Sequence, residues 1–290
     1  MITVDIFGGL GNQMFQYALG RHLSLKNKDS LTLRYIDVGA FSKRPYALAC
    51  FRLAPNTVVR SEVGGLRSEF RKVLEKTIPL SLYRGEALIR ERSFRFDPKI
   101  LKLKRDVHLH GYWQSEKYFR DIRETILEDF TFTPPLNSRN QKILEKIKKT
   151  NSVSVHVRRG DYVMDPKTHE FHGVCGPDYY QKAVKVVSKK VENPTFYFFS
   201  DDIRWVEKNL KTKVENTYVD WNTGEKSFVD MQLMSSCKHH ILANSSFSWW
   251  GAWLNRNKDK MVVAPKQWFQ DPSMDTRDLI PEGWLTVDSK

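Results

Sequence analysis

The sequence is 290 residues long, and its 40% hydrophobic and 12% aromatic residues support a large core and exclude an intrinsically disordered chain. It contains no apolar run of about 18 residues and no basic, apolar leader at its start, so neither a transmembrane helix nor a signal peptide is predicted. The formal net charge is +13, and three cysteines without C-x-x-C spacing are typical of a reduced protein, which we expect to be cytoplasmic.

The first 36 residues predict a βαβ unit. Residues 2–7 and 31–36 are apolar and β-branched and predict strands, and the glycine-rich segment 8–11 predicts a tight turn. Asn12 is placed to cap the helix between them. The face of this helix that we expect to be buried contains Met14, Phe15, Ala18, Leu19, His22 and Leu23.

The glycine turn itself has two interpretations. A dinucleotide fingerprint requires a third glycine at position 14, where this chain has methionine, so no NAD site is predicted. The glycines still allow the backbone to approach a ligand or another domain closely. A purely structural turn is the alternative.

The excess of positive charge lies in the first half. Residues 1–150 carry 28 lysines and arginines against 16 acidic residues, whereas residues 151–290 carry 19 against 18. Basic and apolar side chains interleave over residues 67–105, which predicts peripheral contact with an anionic membrane or a phosphate-bearing acceptor. An ordinary solvated basic surface is the alternative. Neither zinc-finger spacing nor an RRM-type strand is present, so we expect no nucleic-acid partner.

A second α/β unit follows a strand predicted over 107–112 and a helix predicted over 141–149. The predicted strands of this unit cover residues 152–157, 195–199 and 240–243, and its predicted helices cover 178–191, 227–236 and 249–254. Polar residues follow each strand, which is typical of a doubly wound fold that binds ligands at those strand ends. We therefore predict an α/β fold of two Rossmann-like domains, 1–150 and 151–290.

The segment HVRRGDY at 156–162 ends the first strand of the second unit. His156 and Arg158 lie two residues apart and therefore share one side of the strand. An arginine can bind a diphosphate through two parallel hydrogen bonds with a permanent charge, and Asp161 is placed to orient a neighbouring arginine. A surface ion-pair cluster explains the motif equally well.

Two more polar loops follow the next strands. In FFSDD at 198–202 the adjacent acids lack the D-x-D spacing of a metal-bridging transferase, so no metal site is predicted. We expect the two acids to cap the following helix, which would also place Ser200 near a ligand. In ANSSFSWWG at 243–251, small polar residues open a helix whose backbone N–H groups suit a phosphate. Packing alone accounts for Trp250 and Trp253.

Together, these motifs resemble glycosyltransferase family 11, the α-1,2-fucosyltransferases. The similar segments, in the family's order, are FGGLGNQMFQYA at 7–18, HVRRGDY at 156–162, HGVC at 172–175, DYY at 178–180, FFSDD at 198–202 and ANSSFSWWGAWL at 243–254. The resemblance spans most of the chain and is least clear over 40–105. It implies a GT-B-like fold, with two Rossmann-like halves facing a cleft, in which 1–150 is the acceptor side and 151–290 binds GDP-fucose.

The resemblance also implies the reaction, an inverting transfer of L-fucose from GDP-fucose to the 2-hydroxyl of a galactoside without metal or other cofactor. Arg158 would contact the β-phosphate, His156 would lie near the nucleoside, and Asp230 would bind guanine through its N1–H and amino group. The other donor-binding residues implied by the resemblance are those of the serine loop and the glycine turn: Ser245, Ser246, Phe247 and Asn12.

The general base is left open by the sequence. Asp161 and His172 are candidates, although orienting an arginine is the simpler role for Asp161. The expected acceptor is a galactose-terminated, lipid-linked glycan of a surface polysaccharide such as O-antigen. The alternatives are a fucosyltransferase of other linkage, such as α-1,6, a non-catalytic nucleotide-sugar-binding protein, and a Rossmann oxidoreductase, which the missing third glycine disfavours.

Overall fold

A computed structural model describes residues 1–37, 45–63, 87–212, 214–271 and 273–289. The chain divides into two compact units: unit 1 contains residues 1–133 and 275–279, and unit 2 contains residues 134–274 and 280–290. The sequence-based boundary at 150 lies one helix later than this division. The helix Ser138–Lys149 belongs to unit 2 because its buried Ile143 and Ile147 pack into the apolar core of that unit. Most of the basic segment 67–105, namely residues 67–86, lies outside the described residues.

Unit 1 is built on a five-stranded parallel sheet in the order β3-β2-β1-β5-β4. The strands are β1 (Ile2–Ile6), β2 (Leu31–Asp37), β3 (Thr57–Val63), β4 (Ala87–Arg90) and β5 (Val107–His110). The α-helices described in this unit are α1 (Leu10–Asn27) and α2 (Arg123–Asp129). All five residues of β1 are buried, as expected of a central strand covered on both faces.

Helix α1 begins three residues before the position predicted from the sequence. Gly8 has a φ of +78°, which turns the chain so that Gly9 is the N-cap and Leu10 the first helical residue. Asn12 is therefore the third residue of the helix, and the prediction that it caps the helix was wrong. The predicted buried face of α1 is confirmed, since Met14, Phe15, Ala18, Leu19, His22 and Leu23 are all buried.

Unit 2 is built on a six-stranded parallel sheet in the order β11-β10-β9-β6-β7-β8. Its strands are β6 (Asn151–Val157), β7 (Pro194–Ser200), β8 (Asn216–Val219), β9 (His239–Ile241), β10 (Val262–Pro265) and β11 (Leu285–Val287). Counted from β6, this is the Rossmann order 3-2-1-4-5-6, so the strand order reverses between β6 and β9. The α/β prediction of two Rossmann-like halves, the GT-B-like class, is confirmed.

The helices described in unit 2 connect these strands. They are α3 (Ser138–Lys149), α4 (Gly160–Met164), α5 (Pro166–His172), α6 (Pro177–Ser188), α7 (Ile203–Asn209), α8 (Phe228–Ser236) and α9 (Ser246–Trp253). Apolar side chains pack on both faces of the sheet, and strands β6 and β7 are almost entirely buried between them. Trp250 and Trp253 are fully buried in α9 beside Trp249, which confirms that they pack in the core.

The three cysteines are buried and unpaired by disulfide, consistent with a reduced protein. No helix within the described ranges is both long and apolar enough to cross a membrane.

The close packing of α1 on the sheet of unit 1 gives a stability prediction. A Cβ on Gly20 would lie 2.5 Å from Val4 Cγ2 and 2.8 Å from Leu31 Cδ1, inside a packed core. We expect Gly20→Ala to destabilise the protein by about 1 kcal/mol, because overpacking costs about 1–3 kcal/mol and the gain in helix propensity offsets only about 1 kcal/mol. The measurement is chemical or thermal unfolding.

The matched control is Gly176→Ala at the N-cap of α6, where an added Cβ meets no atom within 4 Å. We expect this variant to remain within about 0.5 kcal/mol of the wild type. Equal stability of the two variants would contradict the tight contact at Gly20.

Candidate functional site

Three polar loops of unit 2 meet at one edge of its sheet. They follow β6, β7 and β9, which are adjacent and parallel, with Val157 paired to Ser200 and Val155 paired to Ile241. The carboxyl ends of the three strands therefore lie side by side. In an open α/β sheet the ligand binds at this edge, where the strand order reverses, and here that position is between the loops after β6 and β9.

Arg158, the first residue after β6, is held by two carboxylates. Its Nη2 lies 2.5 Å from Asp161 Oδ1 and its Nη1 lies 2.9 Å from Asp201 Oδ2. The guanidinium carbon lies 5.5 Å from the centroid of the Tyr162 ring. Only 25% of the arginine side chain is exposed. Its position is therefore fixed before any ligand arrives, and Asp161 orients the arginine as the sequence predicted.

The acidic pair after β7 divides into two roles. Asp202 is the N-cap of α7, where its carboxylate accepts the backbone N–H of Trp205, so the predicted capping is confirmed for this residue. Asp201 instead accepts the backbone N–H of Arg159 at 2.8 Å and pairs with Arg158. The prediction that both acids cap the helix was wrong for Asp201, because the turn after β6 brings two donors closer to it than the start of α7. Ser200 accepts the backbone N–H of Asp202 through its hydroxyl.

His156 lies beneath this edge and is only 6% exposed. Its Nδ1 is buried and has no hydrogen-bond partner within the described residues, and its ring lies 5.5 Å from the ring of Phe247. Burial and the charge of Arg158 lower the pKa of His156 to about 3, so the ring is neutral at pH 7. A buried polar atom without a partner is uncommon in folded proteins.

Helix α9 begins beside His156. Ser245 is its N-cap, and the Ser245 hydroxyl accepts the backbone N–H of Phe247 at 3.3 Å. The amino end of α9 lies at the strand edge and carries the positive end of the helix dipole, which favours an anionic group. Asn244, just before the cap, donates to the backbone oxygens of His172 and Trp268 and so ties the serine loop to the end of α5.

His172, the last residue of α5, lies beside the serine loop at this edge of unit 2. Its ring stacks on Tyr162 with centroids 4.5 Å apart, and Phe171 and Phe269 contact it from other sides. Burial lowers the pKa of His172 to about 4, an effect that Asp161 opposes and Arg158 reinforces. A histidine with so low a pKa is a weak proton acceptor at neutral pH, which disfavours it as a general base.

Asp230 lies in the first turn of α8, outside the loops that contain Arg158 and its partners. Its carboxylate accepts from Asn222 Nδ2 at 2.7 Å, and Asn222 in turn bonds to Asn140 of α3. Burial raises the pKa of Asp230 to about 7, although the hydrogen bond from Asn222 acts in the opposite direction. Asp230 is therefore a partly buried carboxyl held in a network of polar side chains.

The glycine turn of unit 1 is fixed by glutamines of α1. Gln16 accepts the backbone N–H of Phe7 and donates to the backbone oxygen of Gly111, and Gln13 donates to the oxygen of Gly8. The Asn12 side chain accepts from Gln114 Nε2 at 2.8 Å. The turn thus joins the ends of β1 and β5, which is the structural role that the sequence left open.

Unit 2 brings together most of the residues predicted from the sequence. They lie at the ends of β6 and β7, in the loops that follow β6 and β9, or in the adjoining helices: His156, Arg158, Asp161, His172, Ser200, Ser245, Ser246 and Phe247. Asn12 belongs to unit 1. The sequence interpretation missed Asp201 as a partner of Arg158, because it depends on a contact between loops 43 positions apart. It also missed Asp5 and His110 of unit 1, which were visible as a charged residue inside an apolar strand and as the H-x-H pair of VHLH.

Comparison with known proteins explains this arrangement. The model of the protein family described as Glycosyl transferase family 11 matches residues 1–288. The chain belongs to glycosyltransferase family 11. The resemblance seen in the sequence motifs is therefore confirmed.

Several curated members of the family are similar over most of this chain. An alpha-1,2-colitosyltransferase of Escherichia coli is 36% identical, over 99% of both chains. An O-antigen biosynthesis glycosyltransferase of Escherichia coli is 33% identical over 97% of this chain and 98% of its own. A galactoside 2-alpha-L-fucosyltransferase of Mus musculus is 29% identical over 88% of this chain and 64% of its own.

The acids of this family 11 glycosyltransferase are already engaged by protein groups at the strand edge. Asp201 is paired with Arg158, and Asp202 caps α7 and pairs with Arg159 at 3.1 Å. No group of three or more metal-ligating side chains occurs in the part of the chain that the structure describes. Arg158 supplies a permanent cation at this strand edge.

We expect glycosyl transfer by this enzyme to continue in EDTA, because Arg158 and the start of α9 supply fixed positive charge at the ligand edge. The measurement is the initial rate of sugar transfer with and without EDTA, followed by addition of Mg²⁺ or Mn²⁺. A large loss that either metal restores would contradict this expectation and would assign Asp201 and Asp202 to a metal.

Proposed function

We propose that this family 11 glycosyltransferase transfers L-fucose from GDP-fucose to the 2-hydroxyl of a galactoside, with inversion at the anomeric carbon and without a metal or other cofactor. Unit 2 binds the donor, and unit 1 carries the acceptor side. The proposal is supported by the site of unit 2 and by the names of the similar proteins, which include a galactoside 2-alpha-L-fucosyltransferase.

The preorganised guanidinium of Arg158 is the observation that carries the proposal. Asp161 contacts one terminal nitrogen of Arg158, and Asp201 contacts the other. Because a guanidinium has five N–H donors, these two contacts do not use all of them. A fixed, planar cation at the strand edge where the order reverses suits the diphosphate of a nucleotide sugar. A cation held in place stabilises developing charge without any cost of reorganisation during the reaction.

The leaving group determines how this site accelerates transfer. As the bond between the sugar carbon and the β-phosphate oxygen breaks, its electrons pass to the phosphate, and negative charge grows there. Arg158 and the amino end of α9 face that charge. His156, neutral and with an unpaired buried nitrogen, is suited to a hydrogen bond with the polar part of the nucleotide.

Asp230 is proposed to bind the guanine base. A carboxylate accepts two hydrogen bonds from the N1–H and amino group of guanine, whereas adenine offers no such pair. Because the pKa of Asp230 is raised to about 7, binding of GDP through this residue should weaken as the pH falls below 7 and the carboxyl becomes protonated.

Colitose is a second candidate for the transferred sugar. The colitosyltransferase of Escherichia coli covers 99% of this chain at 36% identity, which supports this alternative directly. Colitose is fucose without the 3-hydroxyl. A site that hydrogen-bonds this hydroxyl would reject the deoxy sugar by a factor of about 10⁴ or more, so the two donors can be distinguished by rate.

The acceptor is proposed to be a galactose-terminated, lipid-linked glycan of a surface polysaccharide, in line with the O-antigen role named for the Escherichia coli relative. The net charge of +13 supports peripheral contact between the enzyme and an anionic membrane that carries such a lipid.

The proposed reaction is tested with a donor and acceptor panel. GDP-fucose, GDP-colitose and ADP- or UDP-linked sugars are each incubated with methyl β-galactoside, lactose and a galactosyl-β-1,3-hexosamine, and the product linkage is determined. We expect transfer from a GDP-linked donor to the 2-hydroxyl of galactose. A product of α-1,6 linkage, or GDP binding without any turnover, would overturn the proposal.

Arg158 gives the sharpest test of the site. Arg158→Lys keeps the charge but loses the planar two-pronged geometry, so we expect kcat to fall by about 100-fold or more while the fold is retained. Arg158→Ala should lose at least as much activity and also bind GDP more weakly, because it leaves Asp161 and Asp201 facing the diphosphate. The measurements are kcat, GDP affinity and a thermal melt.

The matched control is Arg159→Lys in the adjacent position. Arg159 pairs with Asp202 and lies 4.1 Å from the Trp205 ring, so its side chain has a structural role that lysine largely keeps. We expect this variant to retain most of its activity. If Arg158→Lys retained more than roughly a third of the wild-type kcat, against the loss expected for a preorganised donor, the phosphate role would be wrong.

A further inference from the structure

Unit 1 contains a histidine–carboxylate pair that the site of unit 2 does not use. Asp5 lies inside the buried strand β1, and its Oδ2 is 2.7 Å from Nδ1 of His110 at the end of β5. Its other oxygen, Oδ1, is contacted by His108 Nε2 at 2.8 Å and by Arg34 Nε at 2.6 Å. The His110 side chain is 42% exposed, whereas that of Asp5 is only 11% exposed.

The three donors keep Asp5 ionised. Burial by itself would raise the pKa of this carboxyl, but the hydrogen bonds from His108, His110 and Arg34 outweigh burial and hold its pKa well below the usual range. A permanent carboxylate on Nδ1 fixes His110 in the tautomer with its proton on that nitrogen. Nε2, the nitrogen with no hydrogen-bond partner in the described parts of the chain, is then a proton acceptor.

His110 lies at a strand end among aromatic side chains. It is the last residue of β5, and Phe7 follows the adjacent parallel strand β1, so both stand at the carboxyl edge of the sheet, the edge at which α/β proteins bind ligands. Phe7 stacks on the His110 ring at 5.2 Å, and Tyr112 contacts Phe7 at 5.0 Å. Partly exposed aromatic rings beside a few polar groups are typical of a small-ligand site and suit the apolar face of a sugar.

The other charged groups around His110 are held by protein partners. Arg34 and His108 are committed to Oδ1 of Asp5. Glu91, at the end of β4, is buried and accepts the backbone N–H groups of Tyr112 and Trp113 at 2.6 and 3.0 Å, so its carboxylate holds the loop after β5 in place.

We propose that the Asp5–His110 pair is the acceptor-activating group of this enzyme, with His110 as the general base and Asp5 as its positioning residue. This inference rests on the proposed function. The galactoside oxygen bonds to the anomeric carbon as the carbon–oxygen bond to the β-phosphate breaks, and that electron pair leaves with GDP. The hydroxyl proton passes to His110 Nε2, and the resulting imidazolium, stabilised by Asp5, returns the proton to solvent.

The test compares His110→Gln and His110→Ala with wild type, using GDP-fucose and the galactoside from the panel that gives the highest wild-type rate. His110→Gln can still donate to Asp5 but cannot accept the proton. We expect kcat to fall about 100-fold with donor KM and GDP affinity unchanged, since a general base contributes at least this much. Added imidazole should restore part of the rate of His110→Ala, up to roughly tenfold, because free imidazole lacks the advantage of being held in position.

The matched control is His239→Gln, the same change at the amino end of a strand, where His239 Nδ1 contacts a backbone N–H of Met261. This variant should retain its activity and gain nothing from imidazole. The inference would be overturned if His110→Gln retained more than a third of the wild-type kcat. It would also be overturned if imidazole did not relieve the loss in His110→Ala, because such a loss indicates a structural role. Absence of fucose transfer by the wild type would instead overturn the proposed function.

Discussion

Parallel strand pairing is the constraint on which the sites of this protein depend. In a parallel sheet covered on both faces, the strand interiors admit mainly apolar side chains, so most of the polar chemistry collects in the loops beyond the strand ends. Because all strands of a unit point the same way, the loops that follow β6, β7 and β9 must lie at one edge. The reversal of strand order between β6 and β9 separates the following connections to opposite sides and opens that edge to a ligand.

Charge at this edge is arranged before any ligand is present. Arg158 is fixed by two carboxylates from different loops, and Gly160 makes this possible, since a Cβ there would lie 2.6 Å from the Asp201 carboxylate. Two acids around one arginine keep the guanidinium desolvated and oriented while leaving a local excess of negative charge. An anionic ligand must therefore be held by more than this one residue, and the start of α9 is the adjacent source of positive potential.

Unit 1 is also built on a parallel sheet, but one of its buried strands contains a charged residue. Here a buried strand does carry a charge, Asp5, and the neighbouring strands supply the three donors that make it tolerable. A buried carboxylate is costly unless it is paired, so removing any one of the donors would leave part of that cost uncompensated. The arrangement is asymmetric, because His108 and Arg34 are nearly buried whereas the His110 side chain is almost half exposed.

The sequence alone determined the family, the fold class, the βαβ start of unit 1, the buried face of α1 and the strands that carry the site. It could do so because the alternation of apolar strands with polar loops and the order of the motifs are local properties of the chain. It could also assign Asp202 to a helix cap and Asp161 to the arginine, since both partners lie within three residues of the acid. Only the tertiary structure decided that Asp201 pairs with Arg158, that His156 is buried beside Phe247, and that Asp5 and His110 form one hydrogen-bonded pair. These contacts join residues 43 to 105 positions apart. No local pattern specifies them, because they arise from the register and order of strands that the whole sheet fixes together.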